Sequence, residues 1–213
     1  MKTALVLGGT GLVGGHLVRI LLRDERYSLV KMLVRKSVDL HHEKLAQVEV
    51  DFDHLQSEDL QADDVFCCLG TTIAKAETQA AFRKVDFDYP VRVGELALEM
   101  GARQYFMVSS IGADAQSSVF YAKVKGETEA KLASLGYSTF VAFRPSFLLG
   151  NRQEFRFGEK IGIGIAKLFE PLMVGGLRKY KGIEAHQVAG AMVKWARLEK
   201  PGNFIVENPE IED

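Results

Sequence analysis

Residues 4–17 read ALVLGGTGLVGGHL, an apolar run that breaks at Gly8 and resumes beyond Gly11 as an amphipathic pattern. The residues before Gly8 suit a short buried strand. Apolar side chains at mixed three and four spacing over 13–22 suit a helix packed on a sheet. Gly8, Gly11 and Gly14 stand between the two at GxxGxxG spacing. Glycine at the turn permits unusual backbone angles, at the second position it admits a pyrophosphate, and at the third it lets helix and strand pack closely. The phosphates then rest on free amides at a helix N-terminus. Gly8, Thr10, Gly11, Leu12, Val13 and Gly14 are therefore the candidate cradle for a nicotinamide dinucleotide. A glycine-rich turn without a ligand is the plain alternative, and the strand before and helix after weigh against it. Gly9 and Gly15 read as turn and packing residues.

The alternation continues along the chain. Short apolar runs at 4–7, 29–34, 48–50, 65–69, 105–108, 140–143 and 204–206 read as strands, and 13–22, 79–100 and 120–135 read as helices. Strand-then-helix repetition predicts parallel pairing, because a parallel neighbour cannot be reached by a tight turn. The expected fold class is α/β, doubly wound, with a mainly parallel Rossmann-type sheet. A chain of 213 residues, 47% of them hydrophobic, can bury one substantial core. No repeat or linker divides it, so a single domain over 1–213 is expected. Its cofactor-binding core runs to about residue 150, and a substrate-side segment with the final strand fills 151–213. Gly162, Gly164, Gly175 and Gly176 lie among apolar and basic residues, which makes 158–182 the least regular stretch and the expected small C-terminal lobe or lid.

A net charge of −1, with acids and bases interspersed, offers no basic face to nucleic acid. The sequence starts directly at the first strand, and the apolar run before Gly8 is too short for a signal peptide or a membrane span. Cys67 and Cys68 are adjacent, a geometry that rarely bridges, and this argues for a reducing, cytoplasmic setting. His41, His42 and His54 have no second cluster at ligand spacing, so no metal is expected. His16 and His186 show no evident partner.

The end of the second strand discriminates between cofactors. An acid there binds the ribose hydroxyls of NAD, whereas a cation accepts a 2′-phosphate. The strand ends Leu33-Val34-Arg35-Lys36, which favours NADPH over NADH, with Arg35 the better candidate because its planar fork suits phosphate. Two solvated edge charges are the alternative, and Asp39 further on could restore NAD binding. Asp51 and Phe52, after the third strand, suit the edge and face of an adenine, although Phe52 suits the core as well.

Tyr121 and Lys125 are four residues apart in a helical segment and so emerge on one face. A free tyrosine titrates near pH 10, and bringing it close to neutrality needs roughly 4 kcal/mol of preferential stabilisation of the phenolate. A nearby ammonium supplies much of that, and Tyr121 can then exchange a proton with a substrate oxygen while hydride moves to or from a nicotinamide. Ser109 and Ser110 follow the strand over 105–108 at its carboxyl end, the edge where open sheets bind ligands. Ser110 is the preferred substrate clamp and Ser109 the alternate, one of them serving otherwise as a helix cap. Lys123, two residues from Tyr121, should point elsewhere.

Together, Gly8 to Gly14, Ser109-Ser110 and Tyr121 to Lys125 resemble the short-chain dehydrogenase/reductase superfamily in its atypical branch. More narrowly, CCLGTT at 67–72, SSIGA at 109–113, VKGE at 124–127 and RQE at 152–154 resemble the Tat-interacting oxidoreductase family and its bacterial relatives, over most of the chain from Thr3 to about Arg197. The resemblance implies that Leu69, Gly70 and Thr71 flank the cofactor, that Lys125 also touches the nicotinamide ribose, and that Arg144, Pro145, Ser146 and Phe147 pass beside the nicotinamide; Ser109 is a further candidate cofactor contact. Asp86 departs from the pattern, standing where many superfamily members carry asparagine.

The leading expectation is an NADPH-dependent oxidoreductase of a small carbonyl or alcohol, with Tyr121 as acid/base, Lys125 as its tuner and Ser110 as clamp. A cofactor-sensing regulator without turnover is the first rival, and a nucleotide-sugar epimerase or dehydratase the second. A small-molecule substrate is the expected partner, and a homodimer is open.

Overall fold

The structure, a computed structural model, describes residues 1–150 and 181–212. Seven strands form one parallel sheet: β1 (Lys2–Leu7), β2 (Tyr27–Val34), β3 (Leu45–Glu49), β4 (Asp64–Cys67), β5 (Gln104–Val108), β6 (Thr139–Arg144) and β9 (Gly202–Glu207). Their order is β3-β2-β1-β4-β5-β6-β9, and every neighbouring pair is parallel. The chain winds outward one way from β1 and the other way from β4. That reversal opens a crevice above their carboxyl ends, the place where sheets of this kind take ligands. Two further strands, β7 (Leu148–Leu149) and β8 (Ile183–Glu184), pair separately beside that edge.

Central strands read as unbroken apolar runs because both faces are covered. On one face Ala4, Val6, Phe66, Phe106, Val141 and Phe143 pack beneath helices α1 (Leu12–Arg23) and α6 (Ala185–Leu198). On the other, Leu5, Leu7, Val65, Tyr105, Met107 and Phe140 meet α4 (Tyr89–Glu99) and the end of α5 (Phe120–Ala133). Strand alternation thus sends neighbouring residues to two separate cores.

One expected helix is different. Over 79–100 the chain is helical as expected, but α3 (Gln79–Arg83) passes through a widened π-type turn at Lys84–Asp88 into α4, and a short α2 (Ile73–Ala76) precedes it. Pro90 supplies the reason. It has no N–H to give the carbonyl of Asp86 four residues back, and that carbonyl instead accepts the Thr128 hydroxyl of α5 at 2.9 Å. The Tyr89 N–H reaches back five residues to the carbonyl of Lys84, which is the π-type bond.

Strand boundaries shift as well: β3 starts three residues before its apolar run, and β4 stops at Cys67. Helix α6, followed by the short α7 (Asn208–Glu212), was not expected from the sequence. Of the anticipated lobe over 158–182, all but residues 181 and 182 lie outside the described residues, as does the RQE motif at 152–154.

Candidate functional site

Gly8 leaves β1 with φ +72°, and a Cβ there would lie 2.6 Å from the carbonyl oxygen of Cys68. A Cβ on Gly14 would lie 2.2 Å from the carbonyl of Gly8. The Gly11 N–H donates to the Gly8 carbonyl at 2.9 Å and closes the turn. Among the described residues no side chain caps α1 at Gly11, and no acid stands in its first turn, so its first amides are left to meet an anion. Thr10 and Gly11 are exposed, Leu12 is half-buried, and Val13 turns its side chain into the core. This cradle, which a Cβ would fill, fits the pyrophosphate of a dinucleotide.

Beyond it lies a cleft of about 550 Å³ whose walls include Arg35, Glu49, Phe52, Val85 and Tyr89. Arg35 and Lys36 are both exposed. Asp51 also borders the cleft, but its carboxylate accepts the N–H of Asp53 at 3.0 Å and lies 2.8 Å from Nδ1 of His54. Those bonds hold it below the usual carboxylate range, the His54 bond first. Phe52 is nearly buried and tilts against the ring of Tyr89 at 5.1 Å, so it is at once core and cleft floor. The cleft suits an adenosine. Val85, Tyr89 and Glu49 were not anticipated there, since the first comes from the irregular turn, the second from the start of α4 and the third from the end of β3. Asp39, in the loop after β2, is exposed and lies 3.2 Å from Nε2 of His41.

On α5, Lys125 is buried, and its Nζ lies 2.7 Å from Oδ1 of the equally buried Asp86. The other carboxylate oxygen, Oδ2, accepts the Thr71 N–H at 2.8 Å. Burial is the largest single influence and works to discharge Lys125, but the charge of Asp86, its bond to the ammonium and the Tyr121 oxygen together outweigh it and hold the ammonium above the usual lysine range. The loop at 69–71 crosses over the pair: a Cβ on Gly70 would lie 3.2 Å from Asp86 Oδ1 and 3.5 Å from Lys125 Nζ. Tyr121, half-buried one turn before Lys125, is backed by Phe82 of α3 at 5.5 Å. Lys123 is exposed.

The two serines differ. Ser109 is buried and its hydroxyl donates to Glu129 in a short hydrogen bond. Glu129 in turn takes the Arg144 guanidinium at 2.6 Å, tying α5 to the end of β6. The Glu129 hydrogen bond is the first reason that Arg144 is held above its usual range. Ser110 is half-buried and, among the described residues, its hydroxyl donates only to the neighbouring carbonyl of Ile111, at 3.2 Å. Of the two, Ser110 keeps the freer hydroxyl. The loop that follows lies directly on α5, where a Cβ on Gly126 would meet the Ala115 nitrogen at 2.2 Å. Beyond β6, Pro145 is buried and Phe147 is 62% exposed. Between them Ser146 is fixed by Asn208, whose Oδ1 accepts its N–H at 3.0 Å. Asn208 gave no signal in the sequence.

Cys67 and Cys68 are unbridged, and burial pushes both thiols up. His16 and His186, expected to be unpartnered, meet edge to face with ring centroids 6.1 Å apart, because α1 and α6 share one face of the sheet. Among the described residues no group of three or more His, Cys, Asp or Glu could hold a metal, and no helix is long and apolar enough to cross a membrane.

Residues 4–168 match the NAD dependent epimerase/dehydratase family. Protein HTATIP2 of Rattus norvegicus is 39% identical over 164 residues, covering 74% of this chain and 67% of its own. Protein FMP52, mitochondrial, of Eremothecium gossypii is 32% identical over 217 residues, covering 98% and 95%. In fold, the chain superposes on MoeE5 in complex with UDP-glucose and NAD, with TM-score 0.72 at 15% identity over 98% of this chain and 79% of that one. Human SDR39U1 with NADPH follows at TM-score 0.62 and 18% identity, over 97% and 74%. The cytoplasmic setting expected from the cysteines is overturned by the FMP52 relatives, which are named as mitochondrial. Two adjacent, unbridged thiols carry no address. By sequence and by sheet topology alike, the chain belongs to the NAD dependent epimerase/dehydratase family, as an atypical short-chain dehydrogenase/reductase with an NAD(P)-binding Rossmann fold, related to the Tat-interacting proteins.

Proposed function

We propose that the chain is an oxidoreductase that takes NADPH in preference to NADH and acts on a small carbonyl or alcohol. The observation that carries this reading is a buried, charged lysine one helical turn from a half-buried tyrosine, at the carboxyl edge of the sheet. Bound in the cradle of Gly8 to Gly14, with its adenosine in the cleft beside Arg35 and Phe52, the dinucleotide would supply or accept the hydride. Tyr121 passes a proton between its hydroxyl and the substrate oxygen, and Ser110 donates a hydrogen bond to that oxygen. Lys125 places positive charge beside the phenol and has donors left over for a ribose hydroxyl, since a single carboxylate does not exhaust an ammonium. Ser109, Glu129 and Arg144 hold α5 and the end of β6 in register around the site. The whole chain, 1–213, works as a single NAD(P)-binding domain.

A screen of carbonyl substrates following NADPH absorbance tests this. Tyr121→Phe is expected to keep NADPH binding and lose about a hundredfold in turnover, the low end of what acid/base catalysis contributes. Unchanged turnover would remove Tyr121 from the mechanism. A second reading, epimerisation or dehydration of a nucleotide sugar, is favoured by the family description. Against it, about a fifth of the MoeE5 chain has no counterpart here, as that protein is covered to 79%. Turnover of a UDP-sugar without net consumption of NADPH would select the second reading.

A further inference from the structure

The loop after β2 is closed by side chains from the neighbouring strand. Gln47 of β3 accepts the Val38 N–H at 2.9 Å and donates to the carbonyls of Val38 and Leu40 at 2.8 and 2.9 Å. Glu49, two residues on and therefore on the same side of β3, accepts the Ser37 N–H at 2.8 Å. Glu49 pairs in register with Val34 and so stands beside the start of this loop, and it shares the cleft with Arg35. The Ser37 bond first, and the charge of Lys36 as well, hold its carboxyl below the usual range. An arginine, a lysine and a loop amide are the kind of donors that receive an oxyanion. The protein's own carboxylate already sits on the amide.

We infer that Glu49 is an internal stand-in for the cofactor's 2′-phosphate, occupying the Ser37 amide beside Arg35 and Lys36, and that it sets the ratio of NADPH to NADH binding. The inference rests on the adenosine of the proposed cofactor lying in this cleft. A 2′-phosphate arriving at the end of β2 must displace Glu49 from Ser37 or accept its negative charge close by. A free 2′-hydroxyl meets no such repulsion and can donate to the same carboxylate. Arg35 and Lys36 therefore favour the phosphate less than two uncompensated cations would, and the chain accepts both cofactors.

Isothermal titration of the ligand-free chain with adenosine 2′,5′-bisphosphate and with 5′-AMP separates the two claims without any turnover. Glu49→Gln keeps an acceptor for Ser37 and removes the charge. It should tighten the bisphosphate about fivefold or more, the order of effect of one unit charge a few ångströms away in a wet cleft, and change 5′-AMP less than twofold. Glu49→Lys should extend the gain, and Arg35→Glu should reverse it. The gain should also shrink as salt is raised. Both probes binding the wild type, with their ratio unmoved in Glu49→Gln and Glu49→Lys, would overturn the role of Glu49 and leave the cofactor assignment standing. Failure of the wild type to bind either probe or NADPH would bring down the cofactor assignment and this inference together.

Discussion

Asp86 and Lys125 place opposite full charges out of water at 2.7 Å. Desolvation makes such pairs poor sources of net stability, yet removal of one partner is costly because the other is left charged and alone. Lys125→Met should therefore destabilise the protein by about 3 kcal/mol or more, and Lys125→Met with Asp86→Asn by less than the sum of the single changes. Urea unfolding of the four proteins measures the coupling, and strict additivity would mean that the contact carries no energy. The tyrosine and lysine were legible in the sequence because four-residue spacing on a helix is a local rule. Asp86 was noticed only as a departure from family pattern. Its partner is 39 positions away (125 − 86), and no periodicity links the two. Likewise Ser109 and Ser110 are indistinguishable as letters, and only their side-chain directions, one to Glu129 and the other to a neighbouring carbonyl, tell them apart.

The strand ends divide the labour. At the carboxyl edge sit the cradle and the proposed chemistry, whereas the amino edge is laced with polar contacts. Buried Asp64 of β4 accepts the Tyr27 hydroxyl at 2.6 Å and the Gln104 amide at 2.9 Å, and it pairs with Lys2 at 3.2 Å. Asp24, after α1, takes Arg26 at 2.8 Å and Arg197 of α6 at 3.1 Å. The Arg26 bond holds the Asp24 carboxyl well below the usual range, against the opposing effect of burial. A carboxyl depressed in the folded state contributes stability above its unfolded pKa near 4 and loses it as pH falls through and below that value. At pH 7, Asp24→Asn should be less stable by about 1–3 kcal/mol, and that gap should begin to narrow near pH 5 and go on narrowing to the lowest pH at which the protein stays folded. Thermal melts across that range test it, and a gap independent of pH would show that charge has no part. These elements were readable as strands and a helix, but the network is a product of their assembly.

At the scale of the molecule, the parallel sheet and its two faces follow from the alternation of apolar runs and amphipathic stretches. The missing piece of the sequence reading was α6. Its buried side is Ala185, Val188, Ala189, Met192, Val193 and Ala196, a sound helical stripe made mostly of small residues that register weakly as hydrophobic. The reciprocal cap between Glu184 and Gln187 was a second signal. Because α6 and β9 complete the core over α1, a chain ending at residue 184 should lose its cooperative melt and bind a hydrophobic dye, while a cooperative melt in that shortened chain would show that the α1 face is sufficient alone. The widened turn at Lys84–Asp88 has a consequence for descent. One residue fewer there would give an ordinary helix and rotate everything beyond it by about 100° relative to what precedes. Either the carboxylate facing the lysine or the stripe from Val91 to Ala97 would then look inward, never both. Homologues that share this arrangement should vary freely in the loops on either side of the segment and tolerate neither gain nor loss of a single codon within it.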